Sequence, residues 1–225
     1  MAGDSVGGLI GRPGDGDLIY CYATGDVISS GSSAGGLAGW IYKGTCMNCY
    51  AMGDVTTTSS SGSKIGGLVG EVGYSGVTCN LVNCYASGDV TTPSSSSKIG
   101  GLAGHLISGS SLKDCFAAGS VTGGSDYGGL VGDNEGTLEN CYRYAENGNS
   151  EGIPVSDRSE FMDYDFLTET TTGNGLNWSV DIIDTAEDAS KIWRVSTYKF
   201  QYLSSSGLVQ VIFRSIPSLI QLQSI

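Results

Sequence analysis

Asp26, Asp54 and Asp89 each stand in the phrase Gly-Asp-Val, and a cysteine (Cys21, Cys49, Cys84) precedes each of them at the same spacing. Carboxylates that recur at one place in a repeat fall into a row, with Ser120 breaking it at the fourth place. A row of oxygens is what Ca²⁺ asks of a protein. The competing reading is that each Asp hydrogen-bonds its own turn and stays solvated, as short acidic side chains do. It is preferred, because the Gly-Gly-x-Gly-x-Asp nonapeptide of calcium-binding β-rolls is missing. Calcium at these three aspartates is the one cofactor left open.

Seven cysteines offer the next chemistry. Cys21, Cys49, Cys84, Cys115 and Cys141 share one repeat position, whereas Cys46 and Cys79 stand outside it, each just ahead of a repeat cysteine. An odd number leaves at least one thiol unpaired, and Cys46 with Cys79 is the candidate disulfide. Cys46-x-x-Cys49 alone, in a chain whose single histidine is His105, is a weak zinc or redox motif. The single histidine also excludes a His-Glu-x-x-His peptidase. A Ser-His-Asp triad would have to use His105, which stands where other repeats carry Arg12, Trp40, Glu71 and Asp133, and so reads as a variable surface position. There is no Gly-x-Ser-x-Gly elbow. Paired carboxylates on a β-helix can hydrolyse glycosides, so a polysaccharide-active enzyme is kept as a remote alternative. No catalytic residue is assigned, and the chain is expected not to be an enzyme.

What positions these residues is an array. Cys-Tyr-Ala-x-Gly-Asp-Val occupies 21–27, 49–55 and 84–90, with a variant from Cys115 and a further start at Cys141-Tyr142. Gly-Gly-Leu stands at 7–9, 35–37, 66–68, 100–102 and 128–130. A unit repeated every 28 to 34 residues cannot bury its apolar face alone and must stack on its neighbours. The variable lengths fall in serine-rich stretches such as 59–63 and 94–97, which are loop chemistry. Apolar runs are short and rich in Val, Ile, Thr and Tyr, and no helical stripe is present.

Two or three short strands per period predict an all-β, parallel β-solenoid of about five coils, with a propeller ranked second. At about 4.8 Å per coil the rod would be roughly 25 Å long. Stacking turns repeated letters into ladders: the five cysteines in one, Ala23, Ala51, Ala86 and Ala117 in another, and Tyr22, Tyr50, Tyr85, Phe116 and Tyr142 in a third on the opposite strand face. Which face lies inside is open, since small Cys and Ala or a tyrosine stack could fill the core. Asn48, Asn83 and Asn140, with Asp114, suggest a corner hydrogen-bonded along the stack. The repeated glycines read as positions of positive φ or close backbone approach.

The pattern resembles the GLUG-motif repeats of bacterial and archaeal cell-surface proteins, which also accompany some IgA-specific metallopeptidases. Residues 66–70 and 128–132 match the Gly-Gly-Leu-Val-Gly phrase in full, and 48–55 and 83–90 match Asn-x-Tyr-Ala-x-Gly-x-Val. The cysteine before Tyr and the aspartate in Gly-Asp-Val depart from the commoner letters. The resemblance covers about two thirds of the chain and implies a secreted or surface-displayed repeat module, usually without catalytic activity of its own.

After Tyr144 the vocabulary changes. Residues 1–147 are expected to form the solenoid, 148–203 an aromatic-rich cap over its last coil, and 204–225 an apolar tail or joint. The tail is interrupted by Gln210, Arg214, Pro217 and Gln221, too often for a membrane span. A formal charge of −12 disfavours nucleic acid, which needs a basic footprint. Met1 to Asp4 lack a leader's charged and apolar regions, suggesting a processed product or an excised piece. The expected role is a non-catalytic extracellular adhesion or spacer module whose partners are other surface proteins, glycans or copies of itself. A self-assembling fibre or sheath subunit is the alternative.

Overall fold

Apolar runs broken every few residues by Gly, Asp or Asn cannot sustain long strands, and the coil that results has five short ones. A computed structural model describes residues 5–58, 64–93, 95–124, 127–144 and 151–158, positions 161, 167 and 176, and the segments Val180–Ile182 and Trp193–Val195. The chain divides into a first unit, Met1–Arg158, and a second, Ser159–Ile225. In the first unit one coil runs Ser33–Gly35, Ala38–Ile41, Gly44–Met47, Tyr50–Ala51 and Val55–Thr57. Each strand belongs to its own parallel sheet, here called A to E in that order, and every sheet stacks equivalent strands of successive coils. Four coils reach sheet E, and a fifth runs from sheet A to sheet D. The period therefore holds five strands rather than the two or three expected, because the chain turns a corner after nearly every one.

Register follows the repeated phrases: Gly35 lies between Gly7 and Gly66, and Tyr85 between Tyr50 and Phe116. Among the described residues the interior of the coils holds two compartments. Leu37, Leu68, Leu102 and Leu130 fill the larger one with the cysteine and alanine ladders, and Val27, Val55, Val90 and Val121 fill the smaller with Ala34, Ile65 and Ile99. Between them the two repeated phrases meet. A methyl group on Gly36 would come within 2.7 Å of Ala51 Cβ, and one on Gly67 or Gly101 within 2.9 Å of Ala86 or Ala117. These glycines are demanded by close approach, and none of them has a positive φ. Among the described non-glycine residues Lys98 is left-handed, with φ of 52°, and so are Tyr20, Asn48, Asn83, Asp114 and Asn140, with φ of 50–56°, at the corner between sheets C and D. Asn and Asp tolerate that conformation better than most residues. Asn83 Nδ2 donates to Asn48 Oδ1 at 3.1 Å and Asn140 Nδ2 to Asp114 Oδ1 at 2.7 Å, so the corner is laced along the stack.

Cys49, Cys84, Cys115 and Cys141 point into the larger compartment and are buried, while Cys21, in the first coil, is partly open. All seven thiols are free. The disulfide expected between Cys46 and Cys79 does not fit the register: Cys46 pairs with Leu81, and Cys79 with Gly44. That two-residue offset places their Cα atoms about 8 Å apart, past the roughly 7 Å reach of a disulfide. Cys46 Sγ lies instead 3.9 Å from Cys84 Sγ. Burial pushes the Cys79 thiol up to about 12 and raises that of Cys115 as well. Only thiolate reacts readily. Because the other six thiols are buried, a thiol reagent added to the native protein will label Cys21 and leave them until denaturant is added, as peptide mapping by mass spectrometry will show.

Alternation puts the aromatic row on the outer face of sheet D, yet it too is buried. Tyr50, Tyr85, Phe116 and Tyr142 are at most 4% exposed, against 52% for Tyr22. Their rings stack at 4.8–5.0 Å from Tyr22 to Phe116. Sheet D also extends beyond the expected boundary at 147, with Ile153–Val155 pairing beside Tyr142–Tyr144. In the second unit Val180–Ile182 pairs with Trp193–Val195 in parallel, and Phe161, Leu167 and Leu176 are buried. Most of the 148–203 segment and all of the 204–225 tail lie outside the described residues. Among the described residues no helix is long and apolar enough to cross a membrane.

Candidate functional site

Besides the asparagine corner, stacking gathers polar chemistry in the aspartate row and on the outer face of sheet B. In the row, Asp26 Oδ1 accepts the backbone N–H of Asp54 at 2.9 Å, Asp54 Oδ1 that of Asp89 at 2.8 Å, and Asp89 Oδ1 that of Ser120 at 2.7 Å. Arg158 Nη2 also donates to Asp89 Oδ1 at 3.2 Å. Each carboxylate thus bonds the equivalent residue of the next coil, rather than its own turn as the sequence had suggested. One oxygen of each is committed to a coil-to-coil bond, which explains an Asp where the commoner repeat has another letter. Asp54→Ala will lower stability by about 1–2 kcal/mol, while Asp54→Asn, which keeps an acceptor, will lose less than half of that. Urea denaturation compares the two, and midpoints identical in calcium and in chelator are expected for the wild type.

On sheet B the position after Gly-Gly-Leu-x-Gly changes letter from coil to coil. Strand pairing aligns Trp40, Glu71, His105 and Asp133 in one column, with the Arg12 guanidinium 4.0 Å from the Trp40 ring. Trp40, Tyr42 and Tyr74 cluster with ring centroids 5.1–5.9 Å apart, and Trp40 Nε1 donates to the Gly73 carbonyl at 2.9 Å. Two lysines reach across from the start of sheet A strands, each seven residues before its column neighbour. Lys64 Nζ donates to Glu71 Oε2 at 2.7 Å, and Lys98 Nζ lies 2.6 Å from Asp133 Oδ2 and 3.4 Å from His105 Nε2. Beside the column runs a groove of about 650 Å³ lined by Trp40, Tyr74, Lys64, Glu71 and Glu135 together with serines.

His105 is 7% exposed and Glu71 5%, so the histidine is not the variable surface residue its position suggested. The column is legible only after stacking, because unlike letters in five repeats look like noise until they share a face. The one sequence signal was Lys-Ile-Gly-Gly at both 64–67 and 98–101. Sequence reasoning missed Lys64, Lys98, Tyr42, Tyr74 and Glu135.

Burial by itself would raise the Glu71 carboxyl, but the His105 imidazole 3.5 Å away, the hydrogen bond from Lys64 and the charge of both outweigh it and hold it below its ordinary 4.5. Asp133 is held low by the hydrogen bond from Lys98, against a smaller effect of burial. A carboxyl depressed in the folded state stabilises above its unfolded pKa, and that contribution is lost as pH falls through the folded value. The urea midpoint of the wild type is therefore expected to fall as pH is lowered below about 4.5. Glu71→Gln, measured over the same range, will flatten that decline and start from a lower midpoint at pH 7.

Comparison with known proteins agrees with this architecture. The family model described as the GLUG motif matches residues 2–28 and 95–122. The chain carries the GLUG motif in these two segments. The matched segments belong to the first and fourth coils, and strand pairing carries the same register through the two coils between them. A crystal structure of a candidate immunoglobulin A1 protease from Bacteroides ovatus is similar in fold, with a TM-score of 0.51 and 26% sequence identity over 70% of this chain and 56% of that one. This chain thus spans little more than half of that protein's length. No curated protein matches it in sequence.

Proposed function

We propose that this GLUG solenoid is a non-catalytic extracellular module that binds glycans in the groove along sheet B. The observation that carries the reading is the meeting of an aromatic cluster, Trp40, Tyr42 and Tyr74, with Lys64, Glu71 and Glu135 on a rigid face. Sugars present C–H faces that stack on aromatic rings and hydroxyls that bond carboxylates and ammonium groups. Tyr74, 45% exposed, offers the open ring, since Arg12 covers one face of Trp40. Binding is favoured over hydrolysis because Glu71 is held ionised, the opposite of what a general acid needs. The Bacteroides ovatus likeness fits a module that accompanies a peptidase, as the single histidine leaves no His-Glu-x-x-His here.

The test is a glycan array probed with the whole chain, followed by titration of the best hits against Tyr74→Ala and Tyr42→Ala. Loss of at least tenfold in affinity with an unchanged melting temperature is expected. An array without hits, or hits indifferent to both variants, would reject the groove as a glycan site.

Assembly into a fibre is the second reading, and one observation favours it. Leu9, Ile19, Tyr20, Tyr22 and Ile28, all in the first coil, are 37–75% exposed. Their backbone edges and side chains match the face on which every later coil stacks. Negative-stain imaging over a concentration series decides: filaments favour the fibre, discrete short particles the binding module.

A further inference from the structure

His105 presents its two ring nitrogens to different neighbours. Nδ1 lies 3.5 Å from Glu71 Oε1, and Nε2 faces Glu135 Oε1 at 3.3 Å and Asp133 Oδ2 at 3.6 Å. The side chain is about nine-tenths buried, and Nδ1 makes no hydrogen bond of good geometry. With its proton on Nδ1, directed at the Glu71 carboxylate, the imidazole turns a lone pair toward two carboxylate oxygens. Three electron-pair donors then converge within 4.8 Å of one another. With the proton on Nε2 instead, the ring donates to Glu135 Oε1 at 3.3 Å; with it on Nδ1, the three lone pairs call for a cation among them. Lys98 supplies part of that charge, 2.6 Å from Asp133 and 3.4 Å from Nε2.

We propose that His105 Nε2, Asp133 and Glu135 bind one tetrahedral divalent transition-metal ion, with Zn²⁺ as the best fit. The spacing is the argument. Two ligands on a tetrahedral zinc with bonds of about 2.0–2.2 Å are about 3.3–3.6 Å apart; the Nε2-to-oxygen distances are 3.3 and 3.6 Å, and the two carboxylate oxygens, within 4.8 Å of one another, draw together as the ion binds. An octahedral Mg²⁺ at about 2.1 Å would need adjacent ligands about 3.0 Å apart. Imidazole suits zinc and is a poor ligand for calcium or magnesium. Glu71 is the positioning residue: a carboxylate behind Nδ1 fixes the tautomer and makes Nε2 the better donor. Lys98, its side chain 32% exposed, is near enough to solvent to swing out when the ion enters. Glu71, Asp133 and Glu135 outnumber Lys64 and Lys98, so the site keeps a net negative charge to draw a cation. A fourth coordination position is left for water or a ligand in the adjoining groove, where Glu135 is also a lining residue. The site does not depend on glycan binding.

The experiment is Co²⁺ titration of the whole chain, read by visible absorption, with Zn²⁺ added afterwards in competition. One equivalent giving tetrahedral d–d bands, without the near-ultraviolet thiolate band that cysteine ligands produce, and abolished by Zn²⁺, is the expected result. His105→Gln will weaken Co²⁺ binding at least tenfold, and Lys98→Met, which removes the competing ammonium, will strengthen it. If His105→Gln fails to fold, Glu135→Gln replaces it, since that side chain is 50% exposed and its loss leaves the core intact. A thiolate band, a six-coordinate spectrum, or affinity unchanged in both His105→Gln and Glu135→Gln would overturn the assignment. The glycan array, run in chelator, reports on the groove separately.

Discussion

Gly88→Ala will lower the melting temperature by about 6–12 °C, corresponding to roughly 3 kcal/mol, while Gly25→Ala will change it by no more than about 1–2 °C. The two glycines occupy the same place in the Ala-x-Gly-Asp-Val phrase. A Cβ on Gly25 meets nothing within 4 Å. One on Gly88 would overlap the carbonyl of Gly53 in the coil below and lie 2.9 Å from Asp54 N. Backbone, unlike a side-chain tip, cannot step aside without breaking coil-to-coil hydrogen bonds, so the cost falls on the stack itself. The matched pair separates stacking from intrinsic propensity, because the residue exchange and the local sequence are alike. Thermal unfolding by circular dichroism measures it, and equal shifts at both positions would show that coil spacing does not demand this glycine.

Tyr85→Ala is the second large effect, about 3–5 kcal/mol, against about 1 kcal/mol or less for Tyr22→Ala. Tyr85 is fully buried and stacked between Tyr50 at 5.0 Å and Phe116 at 4.8 Å, whereas Tyr22 ends the row and is half exposed. Truncating the middle rung removes two ring contacts and opens a cavity that its neighbours, held in register by sheet D, cannot close. At the end of the row a single contact is lost and water fills the space. Urea midpoints of the two variants make the comparison, and similar losses at both would mean that the row contributes little beyond surface packing.

Much of the scaffold was legible because repetition amplifies weak signals. A single Gly-Gly-Leu means little, but five in register with Cys-Tyr-Ala require stacked coils. The asparagine corner was visible for the same reason, although its left-handed φ was not, since glycine is the usual suspect for such geometry. The number of strands was underestimated because two-residue strands such as Tyr85–Ala86 leave too short a hydrophobic run to stand out. The Cys46–Cys79 pairing failed because nearness in neighbouring repeats is not register: a two-residue offset along a strand is enough to take two thiols out of reach.

By itself the sequence determined the parallel solenoid, its period, the ladders and the net charge of −12, because each follows from letters that recur at fixed intervals. Only the tertiary structure decided what the non-recurring letters do. Stacking brings Trp40, Glu71, His105 and Asp133, which lie 28–34 residues apart in sequence, onto one face and draws Lys64 and Lys98 over them. The physical reason is that a solenoid converts sequence period into adjacency at about 4.8 Å. A site built from unlike residues of successive coils leaves no local motif, and it exists only once the coils are laid one upon another.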